Sequence, residues 1–351
     1  MGFFENLRRE KREKQYDYNR QPEIAVPEDT EVEEDTEKQE TNIPESSIES
    51  VSESVPDEKT EKASAPAGRS SNRRAQIEPV HIQIKPYSEK KPVTHAVGQT
   101  RVFAIINQKG GVGKSTTAIN LAAALGANNK QVLLVDFDPQ GNSTSGLGVN
   151  KDEVETDIYE VLIHGASAED AIIPDITEGL DLLPATIALA NAEVDLVSLI
   201  ARENRLRDAV GGLRGKYDYI FIDCPPSLGL LTINALVAAE KLIVPIQCEF
   251  MAMEGVTELL ESMKLVKSHL NPALEIYGVL LTMYDSRTTL SRQVAEEIRA
   301  YFGAKVFETL IPRTVRLSEA PCYGLPIIKY DPEGKGAQAY VQLAEEVIKR
   351  G

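Results

Sequence analysis

The sequence lacks the features that mark secreted and membrane proteins. Its 351 residues contain only three cysteines, Cys224, Cys248 and Cys322, which form no CxxC pair. An odd number of scattered cysteines argues against a disulfide framework and favours a reducing compartment. There is also no apolar run of about 18 residues and no signal peptide. We therefore expect a cytoplasmic protein.

Apolar residues are scarce in the first part of the chain. One stretch there reads PEDTEVEEDTEKQETNIPESSIES and has no aromatic residue. Because such a stretch cannot bury enough apolar surface to offset its chain entropy, we predict that residues 1–98 form a disordered acidic extension that ends in a proline-containing linker. The folded domain would then span residues 99–351.

The extension begins with a short basic tip, MGFFENLRREKREKQ. This tip is either the solvated start of a disordered tail or an anchor for a membrane or a partner. Its only large apolar side chains are Phe3, Phe4 and Leu7, which favours the solvated tail.

A general excess of basic charge is also missing. The whole chain has a formal net charge of −16, and residues 1–100 hold 15 Lys and Arg against 21 Asp and Glu, which leaves −10 for the rest. An acidic fold has no overall basic footprint for nucleic acid. Any binding to DNA must therefore come from a local patch.

From Arg101 onward, short runs of Val, Ile and Leu alternate with helix-length segments. The predicted strands are VFAIIN from 102, QVLLVDFD from 131, LDLLP from 180, YDYIFIDCP from 217, KLIVPIQ from 241, IYGVLLTMY from 276 and KVFETLIP from 305. The predicted helices include STTAINLAAALGAN, LGLLTINALVAA, AMEGVTELLESMKLVKSHL and LSRQVAEEIRAYF. This alternation predicts a three-layer α/β domain with a mostly parallel central sheet and a ligand at the carboxyl ends of its strands.

The first predicted strand leads into NQKGGVGKST, residues 107–116. A glycine-rich turn between a strand and a helix can cradle phosphates with its backbone N–H groups, while Lys114 reaches the outer phosphates and Ser115 holds Mg²⁺. The alternative is a glycine-rich turn without a ligand, which the Lys-Ser pair at a helix start disfavours. The predicted nucleotide-binding residues of this P-loop are Lys109, Gly110, Gly111, Val112, Gly113, Lys114, Ser115 and Thr116.

Acidic residues follow two other predicted strands. Asp136 and Asp138 end the run LLVDFD, and Asp223 ends YIFID. Carboxylates at i and i+2 of a strand end project to the same side, and an acid at the end of a buried strand is costly without a cation or donor. We therefore predict that Asp223 supports the metal ion, together with Ser115. For Asp136 and Asp138, the alternative is that they only cap a turn.

The loop departs from the usual pattern G-x-x-x-x-G-K-[ST], because Gln108 stands where glycine is expected and Lys109 follows it. In this form, KGGVGKST, it resembles the deviant Walker A motif of the ParA/MinD family of ATPases, and the resemblance extends over nearly all of residues 101–351. The resemblance implies a homodimer that encloses ATP, in which Lys109 reaches into the partner subunit's site.

The resemblance also assigns roles to residues outside the loop. It implies that Asp138 orients the attacking water, that Asp136 supports Mg²⁺ and the lysines, and that Pro312 contacts the adenine base. The catalytic residues would be Lys109, Lys114 and Asp138, with Ser115, Asp136 and Asp223 at the metal and ATP or ADP as the nucleotide.

The carboxyl-terminal half, including IPRTVRLSEAP, resembles the chromosomal ParA type, also called Soj. That branch implies a dimer that binds double-stranded DNA without sequence preference, associates with the nucleoid when ATP is bound, and is stimulated by a ParB-type centromere-binding protein. Arg287, Arg313 and Arg316 are the predicted DNA contacts, with Arg292 and Lys329 as weaker candidates. The alternative is that these residues form ordinary surface ion pairs.

Two other activities within the family remain to be weighed. The carboxyl-terminal residues AEEVIKRG complete the fold's own last helix and do not resemble a basic membrane-binding helix, so no stable membrane association is expected. A family member that positions a cargo other than a chromosome or plasmid, with the extension as its adaptor, is the alternative that the sequence leaves open.

Overall fold

A computed structural model of the chain describes residues 100–250, 252 and 254–351. The predicted disordered extension, residues 1–98, and its basic tip lie outside the described residues.

The described residues contain one eight-stranded sheet. Its strands are Arg101–Ile105 (β1), Val132–Asp136 (β2), Ile173–Thr177 (β3), Leu180–Leu183 (β4), Tyr219–Asp223 (β5), Lys241–Gln247 (β6), Glu275–Tyr284 (β7) and Val306–Pro312 (β8). The spatial order is β3-β4-β2-β5-β1-β6-β7-β8, and every neighbouring pair is parallel except β3 with β4.

Helices connect the parallel strands. The α-helices are Lys114–Ala127 (α1), Asn142–Gly146 (α2), Ala168–Ala171 (α3), Ala192–Asp195 (α4), Arg205–Gly211 (α5), Leu230–Ala238 (α6), Glu254–His269 (α7), Thr289–Phe302 (α8), Val315–Glu319 (α9), Ile327–Tyr330 (α10) and Lys335–Arg350 (α11). Single turns of other helix types are Lys151–Glu153, Glu160–His164, Ile187–Asn191, Leu196–Ser198, Arg202–Asn204, Gly303–Lys305 and Ala320–Tyr323.

The sheet is buried on both faces, which makes the domain three-layered. Phe103 and Ile105 of β1 pack in one core with α1 and α11, while Val102 and Ala104 pack in the other with α5, α6, α7 and α8. Because successive strand residues point to opposite faces, a strand between two helical layers must be apolar on both of them. β1, β2 and β5 are apolar in this way, apart from one charged residue at an end of each. The predicted fold class is confirmed.

Strand β3 was not predicted from the sequence. It is an edge strand with an antiparallel partner, its residues beyond Ile173 are not buried, and it contains Pro174. Such a segment lacks the continuous apolar run by which the other strands were recognised.

Candidate functional site

The loop between β1 and α1 has the backbone conformation of a phosphate cradle. Gly111 and Gly113 have positive φ values, 75° and 92°, which L-residues with a side chain rarely adopt. A Cβ atom added at Gly110 or Gly111 would meet no atom within 4 Å, so the space beside this backbone is open. Helix α1 begins after Gly113 with no side-chain cap and no acidic residue in its first turn. Its amino terminus is therefore free to bind an anion.

Two polar side chains from the protein interior hold this loop. Asn107 donates from Nδ2 to the carbonyl oxygen of Pro245 at 2.8 Å and accepts from the Lys109 N–H at 2.9 Å. Thr282 of β7 donates from Oγ1 to the carbonyl oxygen of Val112 at 2.8 Å. Thr282 was not predicted from the sequence. The only signal for it is a hydroxyl residue near the end of an otherwise apolar strand.

Two of the strand-end carboxylates lie side by side in the sheet. Asp136 of β2 is in register with Asp223 of β5, and both side chains are fully buried. Burial raises the pKa of Asp223, and hydrogen bonding from the Ser143 and Ser115 hydroxyls opposes that rise. Ser143 Oγ donates to Asp223 Oδ2 at 2.7 Å.

Asp136 is surrounded by donors. Thr144 donates to its Oδ2 from both the backbone N–H and Oγ1, each at 2.7 Å, and the Asp138 N–H donates to Oδ1 at 3.3 Å. Burial and the charge of Asp223 raise the pKa of Asp136, while these hydrogen bonds lower it. The carboxylates therefore favour a nearby cation, because two buried negative charges repel each other.

Lys114 supplies one such cation. Its side chain is 7% exposed. Burial lowers the pKa of its ammonium group, and the charges of Asp223 and Asp138 raise it. Asp138 is also 7% exposed, and its Oδ1 accepts from the Gln140 N–H at 3.0 Å. Lys114, Asp138 and Asp223 thus form one charged cluster beside the phosphate cradle.

The cluster fits a nucleotide and a divalent cation. Among the described residues, the buried side-chain atoms without a hydrogen-bond partner are Gln108 Nε2 and Asp223 Oδ1, one donor and one carboxylate oxygen. A phosphate accepts from such a donor, and Mg²⁺ takes such an oxygen. The part of the chain that the structure describes has no group of three His, Cys, Asp or Glu side chains placed to hold a metal. Mg²⁺ would therefore be held by Asp223 and Ser115, with phosphate and water completing its shell.

Comparison with known proteins assigns the chain to a family. Residues 100–276 match an AAA domain model. The chain is 55% identical to the sporulation initiation inhibitor protein Soj of Bacillus subtilis, over 72% of this chain and 99% of that protein. It is 52% identical to the chromosome partitioning protein ParA of Myxococcus xanthus, over 71% of this chain and 88% of that protein. The chain belongs to the ParA/Soj family of P-loop ATPases.

A solved structure shares the fold. Cobyrinic acid a,c-diamide synthase from Mycobacterium smegmatis, crystallised with ADP and magnesium, is 41% identical, with a TM-score of 0.63 over 71% of this chain and 94% of that chain. As a member of the ParA/Soj family with an intact P-loop, the chain is an ATPase. In the described part of the chain, no helix is both long enough and apolar enough to span a membrane.

Lys109 stands at the start of the same loop. Its side chain is half-buried, and its ammonium group makes no hydrogen bond or ion pair with any described residue. Pro312 ends β8, an edge strand that β6 and β7 separate from β1. Its contact with the base stays a prediction.

The predicted DNA-contacting arginines lie at the carboxyl ends of β7 and β8, and each is paired with an acid. Arg287 binds Asp285 through two nitrogens at 2.8 and 2.9 Å, Arg313 binds Glu249 at 3.0 Å, and Arg316 binds Glu319 at 2.9 Å. All three are exposed, as are the weaker candidates Arg292 and Lys329. These pairs are the surface ion pairs of the alternative interpretation, and such pairs contribute little to stability.

Proposed function

We propose that this protein partitions DNA by cycling between an ATP-bound homodimer, which binds double-stranded DNA without sequence preference, and a released ADP-bound form. In this proposal, a ParB-type centromere-binding protein stimulates hydrolysis, and the protein is cytoplasmic, on the nucleoid while ATP is bound. The name of the Myxococcus xanthus relative, chromosome partitioning protein ParA, supports a partitioning role. ATP, ADP and Mg²⁺ are the cofactors of this cycle.

The observation that best supports an ATP-bound homodimer is the difference between the surroundings of the two lysines of the P-loop. Lys114 is already near enough to Asp223 and Asp138 for their charges to raise its pKa, so a second cation at the same phosphates would duplicate it. Lys109 has a backbone fixed by Asn107 but an ammonium group without a partner in the described chain. A lysine whose backbone is fixed, but whose ammonium group has no partner among the described residues, is suited to act in the site of a second subunit, as an arginine finger does.

The catalytic roles follow from position and charge. Lys114 and the amino terminus of α1 bind the phosphates, and Asp138, held by the Gln140 N–H, accepts a hydrogen bond from the attacking water. Asp223 and Ser115 would hold Mg²⁺, which would supply positive charge against the negative charge that develops on the phosphates.

ATP-dependent binding to a random-sequence duplex tests the proposal. Fluorescence anisotropy with ATP, with ADP and without nucleotide should detect binding only with ATP. Lys109→Ala should still bind ATP but should neither dimerise in size-exclusion chromatography nor bind the duplex. Asp138→Ala should dimerise and stay on DNA while its hydrolysis falls at least about 100-fold, because only the water-orienting group is lost.

Lys114→Ala is the matched control for Lys109→Ala, since it removes the same group from the same loop. It should lose tight ATP binding itself. Equal and mild effects of the two lysine substitutions would reject action on the partner subunit. If the wild-type protein dimerises with ATP but does not bind the duplex at low salt, the alternative function, the positioning of another cargo, would be favoured.

A further inference from the structure

Two hydroxyl residues that the mechanism above does not use follow the segment Asp138–Gly141, which we term the first switch. Ser143 and Thr144 belong to the short helix α2, and both are fully buried. Each donates to a different strand-end carboxylate: Ser143 to Asp223 and Thr144 to Asp136. The chain thus leaves the end of β2, forms the first switch, and returns to the same carboxylates.

Thr144 makes the more extensive set of contacts. Its backbone N–H and its hydroxyl both donate to Asp136 Oδ2, and its Oγ1 accepts from the Ala185 N–H at 3.0 Å. Ala185 lies just beyond the end of β4. A single hydroxyl group therefore joins the carboxyl ends of β2 and β4, two adjacent strands of the sheet.

The first switch is also held from its other side. Gly141 has a φ of 59°, and an added Cβ there would lie 2.8 Å from the carbonyl oxygen of Ala185. Lys151 Nζ donates to the carbonyl oxygen of Gln140 at 2.8 Å. Within the switch, the Gly141 N–H donates to the Asp138 carbonyl oxygen at 2.8 Å. The Asp138 N–H is thus connected to Thr144 through Asp136, while Gly141, which donates to the Asp138 carbonyl oxygen, packs close to Ala185 on the other side.

We propose that Thr144 is a positioning residue for ATP hydrolysis, whose hydroxyl fixes the first switch so that the Asp138 carboxylate faces the phosphate site. The inference rests on the ATPase function and adds to it a residue that does not touch the substrate. The proposal also gives the two buried carboxylates different roles. Both oxygens of Asp136 already accept hydrogen bonds, so Asp136 anchors the switch, whereas Asp223 Oδ1 is open to the metal.

Thr144→Val tests the role of the hydroxyl, because it preserves shape and the backbone N–H but removes Oγ1. In the nucleotide-free full-length chain, amide hydrogen exchange should become faster in peptides that cover residues 138–149. The kcat for ATP should fall about 10- to 100-fold, the size of effect typical when a residue that orients a functional group is lost. The affinity for ATP should change little, since the P-loop contacts remain.

Thr144→Ser and Thr117→Val serve as controls. Serine restores the hydroxyl and should recover both slow exchange and kcat. Thr117 is also fully buried, and its Oγ1 lies 3.3 Å from the Tyr340 hydroxyl, away from the carboxylates. Thr117→Val makes the same chemical change and should leave exchange of residues 138–149 and kcat near wild type.

Three results would overturn the proposal: unchanged exchange in Thr144→Val, equal kcat losses in the two valine variants, or no recovery with serine. None of these readouts involves DNA. If the wild-type chain failed to bind DNA, the partitioning proposal would be rejected, while the comparison of Thr144 variants would still be decided.

Discussion

At the scale of single residues, the site places acidic and basic side chains of opposite charge together in the protein interior. Asp136 and Asp223 are buried next to each other, and burial raises the pKa of both carboxyl groups. Lys114 offsets part of this cost, but burial also lowers the pKa of its ammonium group. Without Mg²⁺, burial therefore favours protonation of these carboxyl groups in the folded chain relative to the unfolded chain.

This balance predicts how stability depends on pH in the metal-free, nucleotide-free protein. The pKa of Asp136 is raised from 3.8 to about 8, so between these values the folded state binds a proton that the unfolded state has lost. Its contribution to the free energy of unfolding is full below pH 4 and declines as pH rises towards 8, by at most about 1.4 kcal/mol per pH unit. Asp136→Asn, which carries no such proton, should therefore gain stability relative to wild type as pH rises.

Urea unfolding in EDTA at pH 5.5, 6.5 and 7.5 measures this difference. The gap in free energy of unfolding between Asp136→Asn and wild type should shift in favour of the variant at each step. A gap that stays constant across the three values would mean that Asp136 is ionised in the folded chain.

From the sequence we predicted the P-loop residues, whose roles depend on their order along one short segment. We did not predict residues that reach the site from segments distant in the sequence. The strand, the glycine turn and the lysine of the P-loop are contiguous, so their placement follows from residues 101–116 alone. Thr282, which fixes the same loop, arrives from β7 and is separated from Val112 by 170 residues. Thr144 acquires its role only because β4 ends beside β2, a neighbour relation that local periodicity does not encode.

At the scale of elements, close packing fixes helix α1 against the sheet edge. Gly126 lies in its last turn, and an added Cβ would overlap the carbonyl oxygen of Glu178 in the turn between β3 and β4. Gly179 in that turn has a φ of 68°, and an added Cβ there would lie 2.9 Å from Gly126 Cα. Two glycines thus allow the two backbones to approach each other. This contact also explains how the poorly patterned strand β3 is held in place.

Gly126→Ala should therefore destabilise the domain although alanine favours helix. The backbone at Glu178 must shift, and overpacking of this kind costs about 1–3 kcal/mol. Gly211→Ala is the control, because Gly211 also lies at the end of a helix, α5, and an added Cβ meets no atom within 4 Å. That change should be neutral or stabilising by up to about 1 kcal/mol. Equal stability of the two variants in urea unfolding would contradict the packing argument.

At the scale of the whole molecule, an acidic protein is proposed to bind a polyanion. The formal charge of −16 opposes association, and the arginines at the β7 and β8 ends each face an acid of the same chain. Arg287 and Arg313 lie close enough together that both lower the pKa of Asp285, which reaches about 2. One such patch can release few counterions, so binding should require the two patches of an ATP dimer.

The salt dependence of DNA binding tests whether these arginines make the contacts. Arg287→Ala and Arg316→Ala should each weaken ATP-dependent binding to unrelated duplexes to a similar degree, because phosphate contacts carry no sequence information. Each should also reduce the slope of log K against log salt by about 2, one contact per protomer of a dimer.

Arg207→Ala is the matched control, since Arg207 is an exposed arginine on α5 that pairs with Asp208 at 3.7 Å. It should bind DNA like wild type, and basal ATP hydrolysis should stay unchanged in all three variants. Wild-type binding by the Arg287→Ala, Arg316→Ala double variant would instead mean that these arginines only form surface ion pairs.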